Sequence, residues 1–221
     1  MVKRLNNLAK SVIYPNVYFK GDYRVDEGSI LGFPREDERK SKTIIGKNAI
    51  FRAYTFIYSD VKIGNNFQSG PHVLIREDNI IGDDVAIWYS TTLGPGNKIG
   101  DGTRIHAGCF LELVTLGKRV FIGPGVVFTD DPHPTNPPQR IHFGGAKVSD
   151  EAVIGANVTV LPHVRIGKRA IIGAGSVVTK DIPAGEVWVG NPARFLKRAE
   201  DVVCEVGGKE HYPYKEFWKI R

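Results

Sequence analysis

Cysteine and methionine are nearly missing from this 221-residue chain, which has two of the first and one of the second. Cys109 and Cys204 stand far apart, at no metal-ligand spacing, which excludes a disulfide framework and a cysteine zinc module. Long apolar runs are absent too, and none approaches the length that spans a bilayer. The start, Met1-Val2-Lys3-Arg4, is basic but leads into no apolar stretch, so it does not read as a signal peptide. A soluble cytoplasmic protein is expected. Charge of one sign is not concentrated: 30 Lys and Arg face 24 Asp and Glu, a net +6, and the basic residues are scattered. That pattern argues against a nucleic-acid face and fits a mild attraction for anionic small molecules. Helical periodicity and a Rossmann glycine fingerprint are also missing from the central region.

What the chain does have is a repeat. Ile45-Gly46, Ile63-Gly64, Ile81-Gly82 and Ile99-Gly100 follow one another at eighteen-residue steps. Eighteen divides into sixes, and the sixes are visible: Ile45, Phe51, Ile57, Ile63, Ser69, Ile75, Ile81, Ile87, Leu93, Ile99, Ile105 and Leu111. Only Ser69 among them is not apolar. A helix would space such residues by 3.6 and a plain strand by two. Six fits a short strand plus a corner, three to a turn, wound into a triangular coil with about 4.8 Å between levels. Smaller inward residues stand two positions earlier, as at Ala49, Thr55, Val61, Val85, Thr91, Thr103 and Cys109. The glycines follow the inward residue, where a bend favours positive φ. Asn48, Asn65, Asn66, Asp83, Asp84 and Asp101 come next, residues that bond their own backbone in turns. The pattern slips by one residue between Ile99 and Leu116 and is interrupted between Phe128 and Val148.

Three regions follow. Residues 1–42 read as a cap and a charged loop, the cap holding the apolar stretch 12–19. Residues 43–190 form the coil, about seven turns and roughly 30 Å tall. Residues 191–221 read as a short helix over 194–203 and an aromatic tail. The stretch 129–147, with Asp130-Asp131-Pro132-His133-Pro134, is too long to be an idle connection and reads as an ordered loop projecting from the prism.

Hexapeptide repeats, a loop two-thirds along, the segment Ile172-Gly173-Ala174-Gly175-Ser176-Val177-Val178-Thr179-Lys180-Asp181-Ile182-Pro183 and then Val189-Gly190-Asn191-Pro192-Ala193-Arg194 resemble the left-handed parallel β-helix acyltransferases. The fold class expected is therefore all-β, and the left-handed winding is what the resemblance implies, since general crossover rules favour the other hand. Within that group, the run from Ile122 to Asp131 is most similar to the nucleotide-sugar N-acetyltransferases of surface-polysaccharide synthesis. The resemblance implies a homotrimer with active sites between neighbouring prisms, acetyl-CoA as donor, and the amine of a sugar nucleotide as acceptor. The His133-Pro134 step departs from some relatives.

Acetyl transfer from a thioester needs a channel for the donor, a proton acceptor and donors for the oxyanion. Column counting by eighteen stacks Gly155, Gly173 and Asn191, and beside them Ala156, Ala174 and Pro192, leaving a shallow channel for a pantetheine arm. Ala193 belongs to the same block, and Lys180, Arg194 and Lys197 lie near the top, where CoA phosphates would emerge. For the proton acceptor, His133 stands slightly ahead of His106. Counting puts His106 on an outer face above Trp88, Gly70 and Arg52, and places His133 beside Asp130 and Asp131. Trp88, Asp130, Asp131 and Glu112 are the candidate substrate contacts. Proton transfer through water is an alternative, as is a sugar or other small hydroxyl acceptor. A γ-type carbonic anhydrase would need three histidines on zinc, two of them closely spaced, and no His-x4-His occurs. A non-catalytic scaffold is the remaining reading. No metal is expected.

Overall fold

Every member of the six-residue series from Ile45 to Leu111 is buried, and the smaller inward series from Ala49 to Cys109 is buried with it. The period thus marks one narrow apolar core running the length of a three-sided coil. The computed structural model describes residues 10–35, 42–135, 142–206, 209–211 and 214. The chain visits three faces in turn. The first begins at Val12–Ile13 and holds nine strands, the second at Val17–Phe19 with eight, and the third at Tyr23–Val25 with ten. Strands one coil apart pair in parallel, as in Ile63 beside Ile81 and Ile75 beside Leu93.

The coil starts earlier than the repeat in the sequence indicates. Val12 pairs with Ile30 and Val17 with Thr43, so residues 12–19 are the first strands and not a separate cap. Nine rungs on the first face make the prism about 40 Å tall.

The glycines are required for a different reason from the one expected. Positive φ falls two residues later, at Asn48, Asn66 and Asp84. A Cβ on Gly46 would instead lie 2.5 Å from the backbone of Gly64, and one on Gly64 equally close to Gly82. Neighbouring coils touch at this corner, and only glycine lets them. The Asn and Asp side chains also reach between coils and not to their own turns. Asn65 accepts from the Lys47 backbone N–H at 2.9 Å, Asp83 from Asn65 at 2.7 Å and Asp101 from Asp83 at 3.1 Å.

The one-residue slip is absorbed by a buried asparagine. Leu93 pairs with Leu111 but Ile99 with Leu116. Asn97 fills the shortened corner: its oxygen accepts from Val114 N–H at 2.9 Å, and its amide donates to the carbonyls of Gly94 and Leu111 and to Asn79.

The expected C-terminal helix is not formed. Arg194–Arg198 is a strand antiparallel to Glu186–Val189, followed by one 3-10 turn at Ala199–Asp201. The last rung of the coil offers unpaired backbone groups, and pairing them outweighs the helical propensity of this polar stretch. The segment then lays Ala199, Val202 and Tyr214 over Phe121, Val153, Ile171 and Val187 on the upper third face. The expectations for the charged loop and the aromatic tail fall mainly on residues 36–41 and 215–221, outside the described residues. Among the described residues, no helix is long and apolar enough to cross a membrane.

Candidate active site

The corner between the third and first faces carries one continuous column. Backbone N–H groups of Gly70, Trp88, His106, Gly123, Gly155 and Gly173 each donate to the coil above, at 2.7 to 2.9 Å. His106 and the predicted donor channel therefore share one edge of the prism. Its upper half has almost no side chains: a Cβ on Gly123 or Gly155 would press on the backbone of the next coil. Ala156 and Ala174 flank this bare strip, and Ala174 is exposed. Its lower half is aromatic. The rings of Trp88 and His106 stack at 4.4 Å and 6°, and Phe121 closes on His106 at 5.0 Å. Burial, helped by the charge of Arg104, holds the His106 imidazole below its usual pKa, which favours the neutral ring.

The top of the channel departs from the expected columns. The last coil is two residues short, so Ile172 pairs with Trp188. Val189, not Asn191, stands over Gly173, with its Cγ1 2.6 Å from where a Cβ would be. Asn191 and Pro192 are displaced onto the exposed turn beyond, and Ala193 is buried as part of the core plug. Arg194 pairs with Val189, close to the channel, and Lys197 lies farther along the same strand. Lys180 leaves a different corner and reaches over the Trp188 ring at 5.1 Å.

A second corner, between the first and second faces, holds the remaining candidates. Glu112 is half-buried there, and a Cβ on Gly94 beneath it would lie 2.8 Å from its carboxylate. The loop after Val127–Phe128 springs from the next level, and Gly145 returns directly against the backbone of Glu112 and Leu113. Asp130 accepts from Gly144 N–H at 2.9 Å through its carbonyl, and Asp131 accepts from His133 N–H at 2.8 Å. His133 is exposed, with its ring 6.0 Å from that of His142. His163, one coil higher, hydrogen-bonds the His142 carbonyl at 2.7 Å. Residues 136–141 of the loop lie outside the described residues. The structure thus joins Glu112, Asp130, Asp131 and His133 at one corner, joins Trp88 and His106 to the glycine channel at another, and separates the two groups by the width of the first face.

Sequence reasoning gave Arg52 and Arg104 no role. Both line an open groove of about 660 Å³ beneath His106, together with Gln68, Gly70, Trp88 and Tyr89. Arg104 precedes His106 by two and points outward by strand alternation, a signal available from the repeat. Among the described residues, no group of three or more His, Cys, Asp or Glu is placed to hold a metal.

Residues 145–180 match the family described as bacterial transferase hexapeptide (six repeats). The chain is a hexapeptide-repeat protein. This hexapeptide-repeat protein is 31% identical over 192 residues to the bifunctional protein GlmU of Thermotoga maritima, covering 85% of the chain but 39% of that protein. It is 38% identical over 117 residues to galactoside O-acetyltransferase of Lactococcus lactis, covering 48% of the chain and 56% of that enzyme. The chain spans about four-tenths of the length of the bifunctional relatives. A hexapeptide transferase family protein from Anaplasma phagocytophilum superposes with a TM-score of 0.54 at 23% identity, covering 62% of this chain and 78% of that one. The fold of the hexapeptide-repeat protein is the left-handed parallel β-helix.

Proposed function

We propose that this protein is an acetyltransferase that moves an acetyl group from acetyl-CoA to the amine of a nucleotide-linked amino sugar, working as a homotrimer. The observation that carries this reading is the column at the corner between the third and first faces, a bare backbone strip through Gly123, Gly155 and Gly173 that ends below on the His106 ring. A thin acyl-carrying arm fits such a strip, flanked by Ala156 and Ala174, with its thioester at the level of His106. Arg194 is the cation best placed for the carrier's phosphates, and Lys197 and Lys180 supply weaker, more distant charge. In the reaction, the acceptor amine attacks the thioester carbonyl, loses a proton to a base, and the thiol leaves.

His133 is the base in this reading, brought by the loop of an adjoining protomer over the His106 corner. Asp131, bonded to the His133 backbone, and Asp130 and Glu112 then face the acceptor from the same side. Trp88 forms the opposite wall. Similarity to enzymes named as acetyltransferases supports the chemistry.

The test is calorimetry with CoA, followed by acetyl transfer to a panel of nucleotide-linked amino sugars. CoA binding at micromolar to sub-millimolar affinity is expected, lost in Ala174→Trp, with turnover only when the amine is free. An assembled protein with no CoA affinity removes the donor assignment. A second reading, transfer to a sugar hydroxyl, draws on the likeness to galactoside O-acetyltransferase. Turnover of galactosides, with none of amino sugar nucleotides, would select it.

A further inference from the structure

Directly below Trp88 the corner column misses a rung. His106 and Trp88 stack as parallel rings, and the next position down is Gly70, whose backbone lies so close to the coil above that a Cβ would meet the Tyr89 nitrogen at 2.5 Å. Arg52 follows one coil lower. Outside that backbone the lower face of the indole looks into a slot that holds no column side chain for one coil, about 4.8 Å, until Arg52. The slot opens into the groove of about 660 Å³ on the lower third face, within the size range of ligand sites. Ala86, small and outward, floors the groove, and Tyr89, 57% exposed, overhangs it.

Charge fits an anion. Arg52 and Arg104 line the groove, against a single lining carboxylate, Asp84. Arg52 shares Asp26 with Arg24, at 3.5 Å. Among the described residues, no carboxylate lies within 4.0 Å of Arg104. Upper and lower halves of this face also differ sharply. Above, the C-terminal segment covers Phe121, Val153 and Ile171; below, Arg104, Ala86 and Gln68 stay open.

We infer that this groove is the subsite for the nucleoside diphosphate of the acceptor. The base slides beneath Trp88, outside the bare backbone at Gly70, extending the His106–Trp88 stack by one ring. Arg104 and Arg52 neutralise the diphosphate, and the sugar is left pointing up toward His106 and the thioester. Stacking tolerates any base, because each has a π-face, so the groove selects the diphosphate more strongly than the base. The inference rests on the proposed acceptor class and assigns it a place that the column count alone does not give.

The test uses uridine, thymidine, cytidine and guanosine 5′-diphosphates in turn, titrated into the assembled wild-type protein and into Trp88→Leu, Arg104→Gln and, as a control on the second face, Lys62→Gln. Each variant is first checked for unchanged melting temperature and assembly. At least one diphosphate is expected to bind, Trp88→Leu and Arg104→Gln to weaken it by tenfold or more, about 1.4 kcal/mol, and Lys62→Gln to leave it unchanged. CoA affinity should stay the same in all three. If the wild type acetylates a sugar nucleotide and both groove variants keep its KM, the subsite is wrong and the function stands. If no diphosphate binds while CoA does, the acceptor class fails, and this assignment with it.

Discussion

His106 is packed between aromatic neighbours, stacked on Trp88 and met by the tilted ring of Phe121. A side chain so packed shapes a wall well and moves poorly. His133, exposed on a loop and anchored through its backbone to Asp131, has the opposite character. His133→Ala is therefore expected to lower kcat by about a hundredfold or more, the usual cost of losing a general base. His106→Ala should act mainly on the acceptor KM. Steady-state kinetics on both variants decide it. The reverse pattern would make His106 the base, and a pH profile would then carry its mark. Burial and Arg104 lower its pKa, so the neutral, proton-accepting form persists to more acid pH than a free imidazole allows. The acid limb of kcat would fall below the ordinary histidine value near 6.5. Two near-wild-type variants would leave proton transfer to water.

At the scale of the strand and corner, most of the coil was legible because burial itself sets the period. Each residue of the Ile45 series is inward for the same steric reason, so counting by six finds it. Counting fails where a corner changes length. The slip at Asn97 and the insertion after Phe128 break the arithmetic between His106 and Gly155, which is why their shared column did not emerge from the sequence. The shortened last coil likewise moved Asn191 out of the channel. Residues 194–203 misled because their composition suits a helix, whereas an open sheet edge is a tertiary fact. The second-to-third corner shows how such junctions are secured. Glu151, 2% exposed and at φ 63°, sits just past the insertion between Arg119 in the coil below and Arg169 in the coil above. Burial pushes its pKa up, but the hydrogen bonds from Arg119 and Arg169 more than offset this and leave it lowered. A lowered carboxylate contributes stability that is present above the unfolded value near 4.3 and is lost as pH falls through the folded value. Glu151→Gln should cost about 1–3 kcal/mol at pH 7, and the gap from wild type should shrink toward zero in acid. Urea unfolding at neutral pH and at pH values below 4 measures both. A gap independent of pH would mean that shape, not charge, is what Glu151 supplies.

At the scale of the whole molecule, a single prism cannot bring its own candidate residues together. The glycine channel with His106 runs along one edge, the loop with His133 projects from another, and a first face of nine strands lies between them. The threefold assembly proposed above would resolve this, because rotation would set the channel edge of one copy against the loop edge of the next, in a repeating head-to-tail contact that closes. Each cleft then needs one channel and one loop from different copies. This has a consequence that no single-chain site shares. Ala174→Trp blocks the channel and leaves the loop intact; His133→Ala does the reverse. Homogeneous preparations of either should be inactive. Unfolded together in equal amounts and reassembled, they should regain about a quarter of wild-type activity, since a cleft is whole only when both contributing copies are intact on the relevant side. Recovery should fail when the two variants are mixed after assembly, and light scattering should report trimers throughout. If the reassembled mixture stays inactive while the trimers form, each cleft is built within one prism, and His133 acts, if at all, on its own chain.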